Sequence, residues 1–373
     1  MKKNFRSLIL ITSVLFALLA FNFNSASADT QNAMIASSYA CFPLNGSYVC
    51  SAAPTTAQFV EPAAVEDEFV VDNLYGRIAD NANVYAGPSR ASEIVRNVGD
   101  GFLYASIYSR QQNEAGELWY MINAGEFVHG DEIQLADQSM FRGVEITSQP
   151  QRPFGWVVSR NFTPSSEPGG DEDPRFGEMY RYDFFEVYGA VADEEGWLWY
   201  SLGDGRWIKQ THVSLVDVDP RPEGVGPDEF WVEVDLYEQT LSAYEGDQMV
   251  FATLVSTGLK WWPTREGLFQ VWDRWTATKM SGAEGREDYY FVEDVPHTMY
   301  FDRTMEIALH GAYWHDRFGY THSHGCVNMP VQDSEWVFQW SEEAENDLWV
   351  WVQTSDPSNY FDRNDPEEQF AAP

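Results

Sequence analysis

The chain has 373 residues, 44% of them apolar and 16% aromatic, which excludes a disordered polypeptide and leaves room for two or three cores. Fifty-eight acidic residues stand against 23 basic ones, a formal charge of −35 spread along the whole length. Such a surface repels nucleic acid and anionic lipid, so neither is an expected partner.

Lys2, Lys3 and Arg6 precede an apolar run over residues 8–21, and Ala26-Ser27-Ala28 offers a small-residue cleavage site. Residues 1–28 therefore read as a secretory signal peptide. The apolar run falls short of the ~20 residues that span a bilayer, and no later stretch is long enough. The mature chain is expected to begin at Asp29, to be secreted, and to keep no membrane span after cleavage.

Residues 29–74 hold a hairpin and a linker. Asn45-Gly46 is the strongest two-residue hairpin signal, and counting outward pairs 44 with 47, 43 with 48, 42 with 49 and 41 with 50. Cys41 and Cys50 then form a non-hydrogen-bonded pair, the closer kind, which a disulfide tolerates. That bond would contribute about 3 kcal/mol to the hairpin. Pro43 lands where its missing amide hydrogen costs nothing, and Cys326 remains as the free thiol. Residues 51–72 show neither helical nor strand period and read as linker.

An internal repeat follows at an offset of 80: Gly116-Glu117-Leu118-Trp119-Tyr120 returns as Gly196-Trp197-Leu198-Trp199-Tyr200, Gly125 as Gly205, Val128 as Ile208, and Leu135 as Leu215. Two copies of one module, 75–140 and 141–219, are implied. Short alternating runs such as Phe102-Leu103-Tyr104-Ala105-Ser106-Ile107 make each a small β-barrel. The pattern resembles bacterial SH3-like modules, which implies possible binding to cell-wall polymers, although Trp119 and Trp199 are better placed to fill their own barrels. Pro220, Pro222 and Pro227, with Gly224 and Gly226, mark a linker over 220–229. Alternating strands resume at Trp231, a turn falls at Glu245-Gly246-Asp247, and the helix signal of this region covers residues 332–345 after Pro330. Residues 230–354 form the third domain, and 355–373 read as a disordered tail.

Residues 310–330 carry four of the seven histidines and one of the three cysteines. Two chemistries compete for them. Cys326 can be a nucleophile with His310 as its base, because a thiol is only slightly ionised near neutrality and needs an imidazole to take its proton. Alternatively His322, His324 and Cys326, alternating along an extended segment, can share one face and bind a metal. The metal reading lacks a His-Glu-x-x-His or Cys-x-x-Cys spacing and a nearby carboxylate or second thiolate, so neither metal nor other cofactor is expected.

Ser323-His324-Gly325-Cys326-Val327-Asn328, with His310-Gly311 sixteen residues before the cysteine, resembles the signature of the L,D-transpeptidase (YkuD-type) catalytic domain. The run from Val234 to Tyr244 resembles its opening strands, and Val255-Ser256-Thr257-Gly258 its next strand end. Pro263-Thr264-Arg265-Glu266-Gly267 departs from the usual Thr-Pro-x-Gly turn. The resemblance implies a mainly β protein, with two SH3-like barrels followed by a β-sandwich catalytic domain. It also implies a thioester acyl-enzyme on Cys326, His310 as base oriented by the carbonyl of Gly311, and peptidoglycan stem peptides as substrate. Backbone amides around His324, Gly325 and Cys326 are the candidates for holding the oxyanion, while Ser323, His324 and Asn328 shape the site, contact substrate, or are structural. His315 and His322 fall outside the matched positions and are expected at the surface or on a lid. Trp261-Trp262, Tyr313-Trp314 and Arg317 are candidate walls of the groove. The implied activity is cross-link formation by transfer to an amine at the cell wall, the alternatives being an L,D-carboxypeptidase and a non-catalytic wall-binding protein.

Overall fold

The computed structural model describes residues 74–285, 288–344 and 347–356, the strand Phe59–Val60, and the backbone alone of Tyr39–Leu44 and Ser47–Ala52. The expected signal peptide over 1–28 and, beyond Asp356, the expected tail over 355–373 lie outside the described residues. Tyr39–Leu44 and Ser47–Ala52 pair antiparallel in the expected register, Leu44 opposite Ser47 and Cys41 opposite Cys50. The two cysteine side chains also lie outside the described residues, so the disulfide stays an expectation resting on that register.

Two seven-stranded sheets organise the remainder. The first runs, in spatial order, Gly267–Gln270, Trp349–Gln353, Phe230–Asp235, Thr240–Glu245, Gln248–Leu254, Val144–Ile146 and Phe59–Val60. The second runs Ile133–Leu135, Leu74–Ile78, Phe102–Ile107, Tyr290–Asp302, Ile307–Gly311 and Val327–Met329, with Asp273–Gly282 also paired to Tyr290–Asp302. They face each other across one core. Strand side chains alternate between faces, so Val232, Val234, Leu241 and Phe251 of the first sheet meet Met299, Ile307, Leu309 and Val327 of the second. The other face of the first sheet is covered as well, by Phe154, Trp156 and Val216 packing on Trp231, Tyr244 and Met249. With both faces covered, even the polar positions of these strands, Glu233, Asp235, Thr240, Ser242 and Thr253, are buried. The helix Val331–Ser341, shorter at its end than residues 332–345, lays Val337 and Phe338 into the shared core.

The mainly β expectation holds, but closed barrels are not what the pairing shows. Phe102–Ile107 pairs antiparallel with Leu74–Ile78 and, through Phe102, Leu103 and Tyr104, in parallel with Tyr290, Phe291 and Val292. One side of Phe102–Ile107 is taken by a strand from outside 75–140, so the sheet does not close on itself within the module and instead continues into residues 230–354. The repeat itself is visible. Leu118–Asn123 and Glu126–His129, the 3-10 turn Gly130–Glu132 and Ile133–Leu135 have counterparts in Leu198–Ser201 and Trp207–Lys209, Gln210–His212 and Val213–Val216. Trp119 and Trp199 are 0% and 8% exposed, so both serve their local cores and neither forms an open platform. The expected linker also contains an edge strand: Phe59–Val60 pairs with Val144–Ile146 because the Phe59 ring finds Phe154 and Phe184 at 4.7 and 4.9 Å. One aromatic anchor is too short a pattern to show as period.

Candidate active site

Strand Ile307–Gly311 sends Ile307 and Leu309 into the shared core, which leaves His310 on the opposite face. Its parallel neighbour is Val327–Met329, with His310 opposite Asn328 and Leu309 opposite Val327. Cys326 stands just before that strand, half-buried and without a disulfide, and lines a cavity of about 520 Å³ that His310 also lines.

His310 is 2% exposed and its Nδ1 lies 3.0 Å from the carbonyl oxygen of Gly311. A carbonyl can only accept, so Nδ1 carries the proton and Nε2 is left as the basic nitrogen. Gly311 is glycine for a packing reason as well: a Cβ there would come within 2.6 Å of Ser334 Oγ on the helix. Burial lowers His310 to about 4, against the pull of the Gly311 carbonyl. Burial also pushes the Cys326 thiol up to about 11, opposed by a hydrogen bond to the backbone of Ala308. At neutral pH the resting site therefore holds a thiol and a neutral imidazole, and among the described residues no hydrogen bond joins them.

Ser323 closes the loop before the cysteine. Its hydroxyl donates to the Cys326 carbonyl and accepts from the Gly325 amide at 3.1 Å, which removes Gly325 N–H from the expected oxyanion donors. Among the described residues the amides of His324 and Cys326 have no partner. Gly325 sits at φ +119°, a conformation that side chains disfavour, and the bend it makes breaks the extended alternation on which the metal reading depended. No group of three or more His, Cys, Asp or Glu among the described residues is arranged to hold a metal ion. Thr264, in the divergent turn, fixes the loop from the other side: its hydroxyl donates to the Gly325 carbonyl at 2.7 Å and accepts from Gly258 N at 2.9 Å.

His315 is not at the surface. It is 8% exposed, accepts from Arg317 N at Nδ1 (3.2 Å), and places Nε2 2.9 Å from the Asn328 side-chain amide. With Nδ1 accepting, Nε2 carries the hydrogen, so the amide oxygen of Asn328 belongs at this contact. The His322 ring packs 4.4 Å from that of His315, and burial drives both imidazoles toward the neutral form, His322 to about 4. His324 is the exposed histidine, between Trp262 and Tyr290 at 5.5 and 5.1 Å. Of the expected walls, Trp314 lines the cavity, Trp261 is 80% exposed, and Tyr313 is buried against Tyr75 at 3.7 Å.

This thiol, imidazole and carbonyl arrangement coincides with a family match. Residues 229–353 match YkuD, the L,D-transpeptidase catalytic domain. Among solved structures, an Enterococcus faecium L,D-transpeptidase mutant is 25% identical, with 34% of this chain and 50% of that chain covered and a TM-score of 0.30. The catalytic domain of the E. faecium enzyme, solved by NMR, is also 25% identical, with 35% and 100% covered and a TM-score of 0.30. An L,D-transpeptidase from Mycobacterium smegmatis is 16% identical over 57% of this chain and 90% of that one, TM-score 0.31. The chain thus covers about half the length of the first of these. A search of the curated proteins finds no match. Residues 229–353 do not build the cavity alone, however. Arg77, Gly101 and Phe102, from the first repeat, line it too, and no local sequence signal marks them because they reach it through the parallel pairing with Tyr290–Val292.

Proposed function

We infer that the protein is an exported cysteine acyltransferase that cross-links peptidoglycan stem peptides through a thioester on Cys326. The observation supporting this most strongly is His310, its Nδ1 committed to the Gly311 carbonyl, lining the same cavity as Cys326. Cys326 Sγ attacks the carbonyl carbon of the donor peptide as His310 Nε2 takes the thiol proton. The tetrahedral oxyanion then collapses, the C–N bond breaks, and His310 returns the proton to the leaving amine. An acceptor amine reverses these steps: it attacks the thioester, His310 removes its proton, and the thiol is regenerated. The amides of His324 and Cys326 are the donors left to hold the oxyanion. Burial disfavours both the thiolate and the imidazolium in the resting site. Proton transfer therefore accompanies attack.

That order has a measurable signature. Because burial opposes thiolate formation, alkylation of Cys326 by iodoacetamide in the resting protein is expected to rise with pH through a midpoint well above that of a free thiol, toward 11. A midpoint at or below 7 would mean a preformed thiolate–imidazolium pair. The reaction itself is tested by incubating the full chain with disaccharide-tetrapeptides. Cross-linked dimers that have lost one terminal residue are expected; trimmed monomers alone would indicate a carboxypeptidase, and unchanged substrate would overturn the proposal. The Cys41–Cys50 disulfide is checked by peptide mapping without reductant, in which Cys326 is expected unpaired.

A further inference from the structure

We propose that the first repeat is part of the substrate site, and that Arg77, held beside Phe102, is a specificity-determining residue that binds a free carboxylate of the acyl-donor peptide. This rests on acyl transfer at Cys326 as proposed above. Arg77 lies on strand Leu74–Ile78, is exposed, and is the sole Arg or Lys among the described residues lining the Cys326 cavity. Its guanidinium stands 5.6 Å from the centre of the Phe102 ring, a face that orients the planar fork without neutralising it.

Three carboxylates, Asp80, Asp100 and Asp288, line the same cavity, yet none comes within ion-pair distance of Arg77. What sets Arg77 apart is its place: among the described residues it is the one cation on the cavity wall, with the Phe102 ring and no ion-paired carboxylate beside it. Asp80 and Asp100 are occupied within their own turn, accepting from Gly101 N at 3.2 Å and from Asn81 Nδ2. Asp288 acts on His324. The position of Arg77 is fixed by the seam between the repeat and the L,D-transpeptidase domain. Phe102 N donates to Tyr289 O at 2.9 Å, and a Cβ on Gly101, at φ +149°, would meet that same oxygen at 2.7 Å. The strand bearing Phe102 thus cannot drift from the cavity without breaking the sheet, and a planar guanidinium on the cavity wall is suited to a carboxylate.

The test is calorimetric binding to the full chain carrying Cys326→Ser, which blocks turnover. The probes are a stem tetrapeptide with free carboxylates, two versions amidated at the C-terminus alone or at the side chains alone, and one fully amidated. The parent is expected to bind the free peptide about tenfold more tightly than the fully amidated one, and the singly amidated peptides identify which carboxylate is bound. Arg77→Ala should erase the difference and Arg77→Glu should reverse it, retained binding of the amidated peptide showing that the variants are folded. Equal affinities in the parent, no binding of either peptide, or a preference that survives Arg77→Ala would overturn the proposal. Because binding is read without turnover, failure of the chemistry at Cys326 would show separately, in the untouched protein.

Discussion

Cys326→Ala is expected to abolish acyl transfer, lowering the rate by about three orders of magnitude or more, with little change in thermal stability. The thiol is small, half-buried, and makes its hydrogen bond to the backbone of Ala308, so its removal leaves neither a large cavity nor an orphaned charge. Cys326→Ser should fare almost as badly. Serine's hydroxyl is far less acidic than a thiol, and a buried imidazole near 4 is a weak base for it. His310→Gln should cost about 10²–10⁴-fold, the usual worth of a positioned general base. Activity measured by cross-linked product, with melting temperature followed in parallel, separates loss of chemistry from loss of fold. Cross-linking that persisted in Cys326→Ala would remove the nucleophile from the proposal.

Deletion of residues 75–140 is the second large effect, and here the loss is of stability. A freely folding module could be cut away with the remainder melting as before. In this chain the cut would unpair Tyr290, Phe291 and Val292 from Phe102–Ile107 and expose a strand edge beside the cavity, an invitation to aggregation. It would also remove Tyr75, stacked 3.7 Å from Tyr313, and Tyr104, whose ring lies 6.0 Å from Tyr313 and 6.5 Å from Trp314. Ser106 leaves with them, although its amide donates to Glu293 and its hydroxyl to Asp294. Each buried aromatic contributes about 2–3 kcal/mol, against a total of about 5–15 kcal/mol for a typical domain. The shortened chain is therefore expected to be insoluble or to melt far below the intact protein. Tyr75→Ala is the milder version, expected to cost about 3–5 kcal/mol by denaturant unfolding. Unchanged unfolding of residues 230–356 after the deletion would show that the seam contributes nothing.

Local chemistry was readable in the sequence, and long-range pairing was not. Asn45-Gly46 specifies its own register, since a two-residue turn leaves no freedom in which residues face each other. The repeat offset of 80 carried over to the 3-10 turns at Gly130 and Gln210. Residue type points to His310 and Cys326, and the family resemblance to Gly311; His310 and Cys326 both line one cavity, at neighbouring parallel strands. The parallel seam between Phe102–Ile107 and Tyr290–Asp302 had no such signal. Parallel pairing between distant segments leaves no turn motif, and the apolar alternation of Phe102–Ile107 suits a barrel as well as a shared sheet. A histidine outside the motif is ordinarily a surface residue, whereas His315 is buried in a tertiary contact with Asn328 that residue names do not reveal. The engagement of the Gly325 amide likewise depends on a backbone angle, which residue names alone do not give.

The central claim is that Cys326 accepts an acyl group, and intact-mass spectrometry of the full chain after incubation with a carbapenem tests it most directly. A single covalent adduct is expected, mapped by proteolysis to the peptide containing Cys326 and missing from Cys326→Ala. A folded protein that stays unmodified, or an adduct on any other residue, would contradict it.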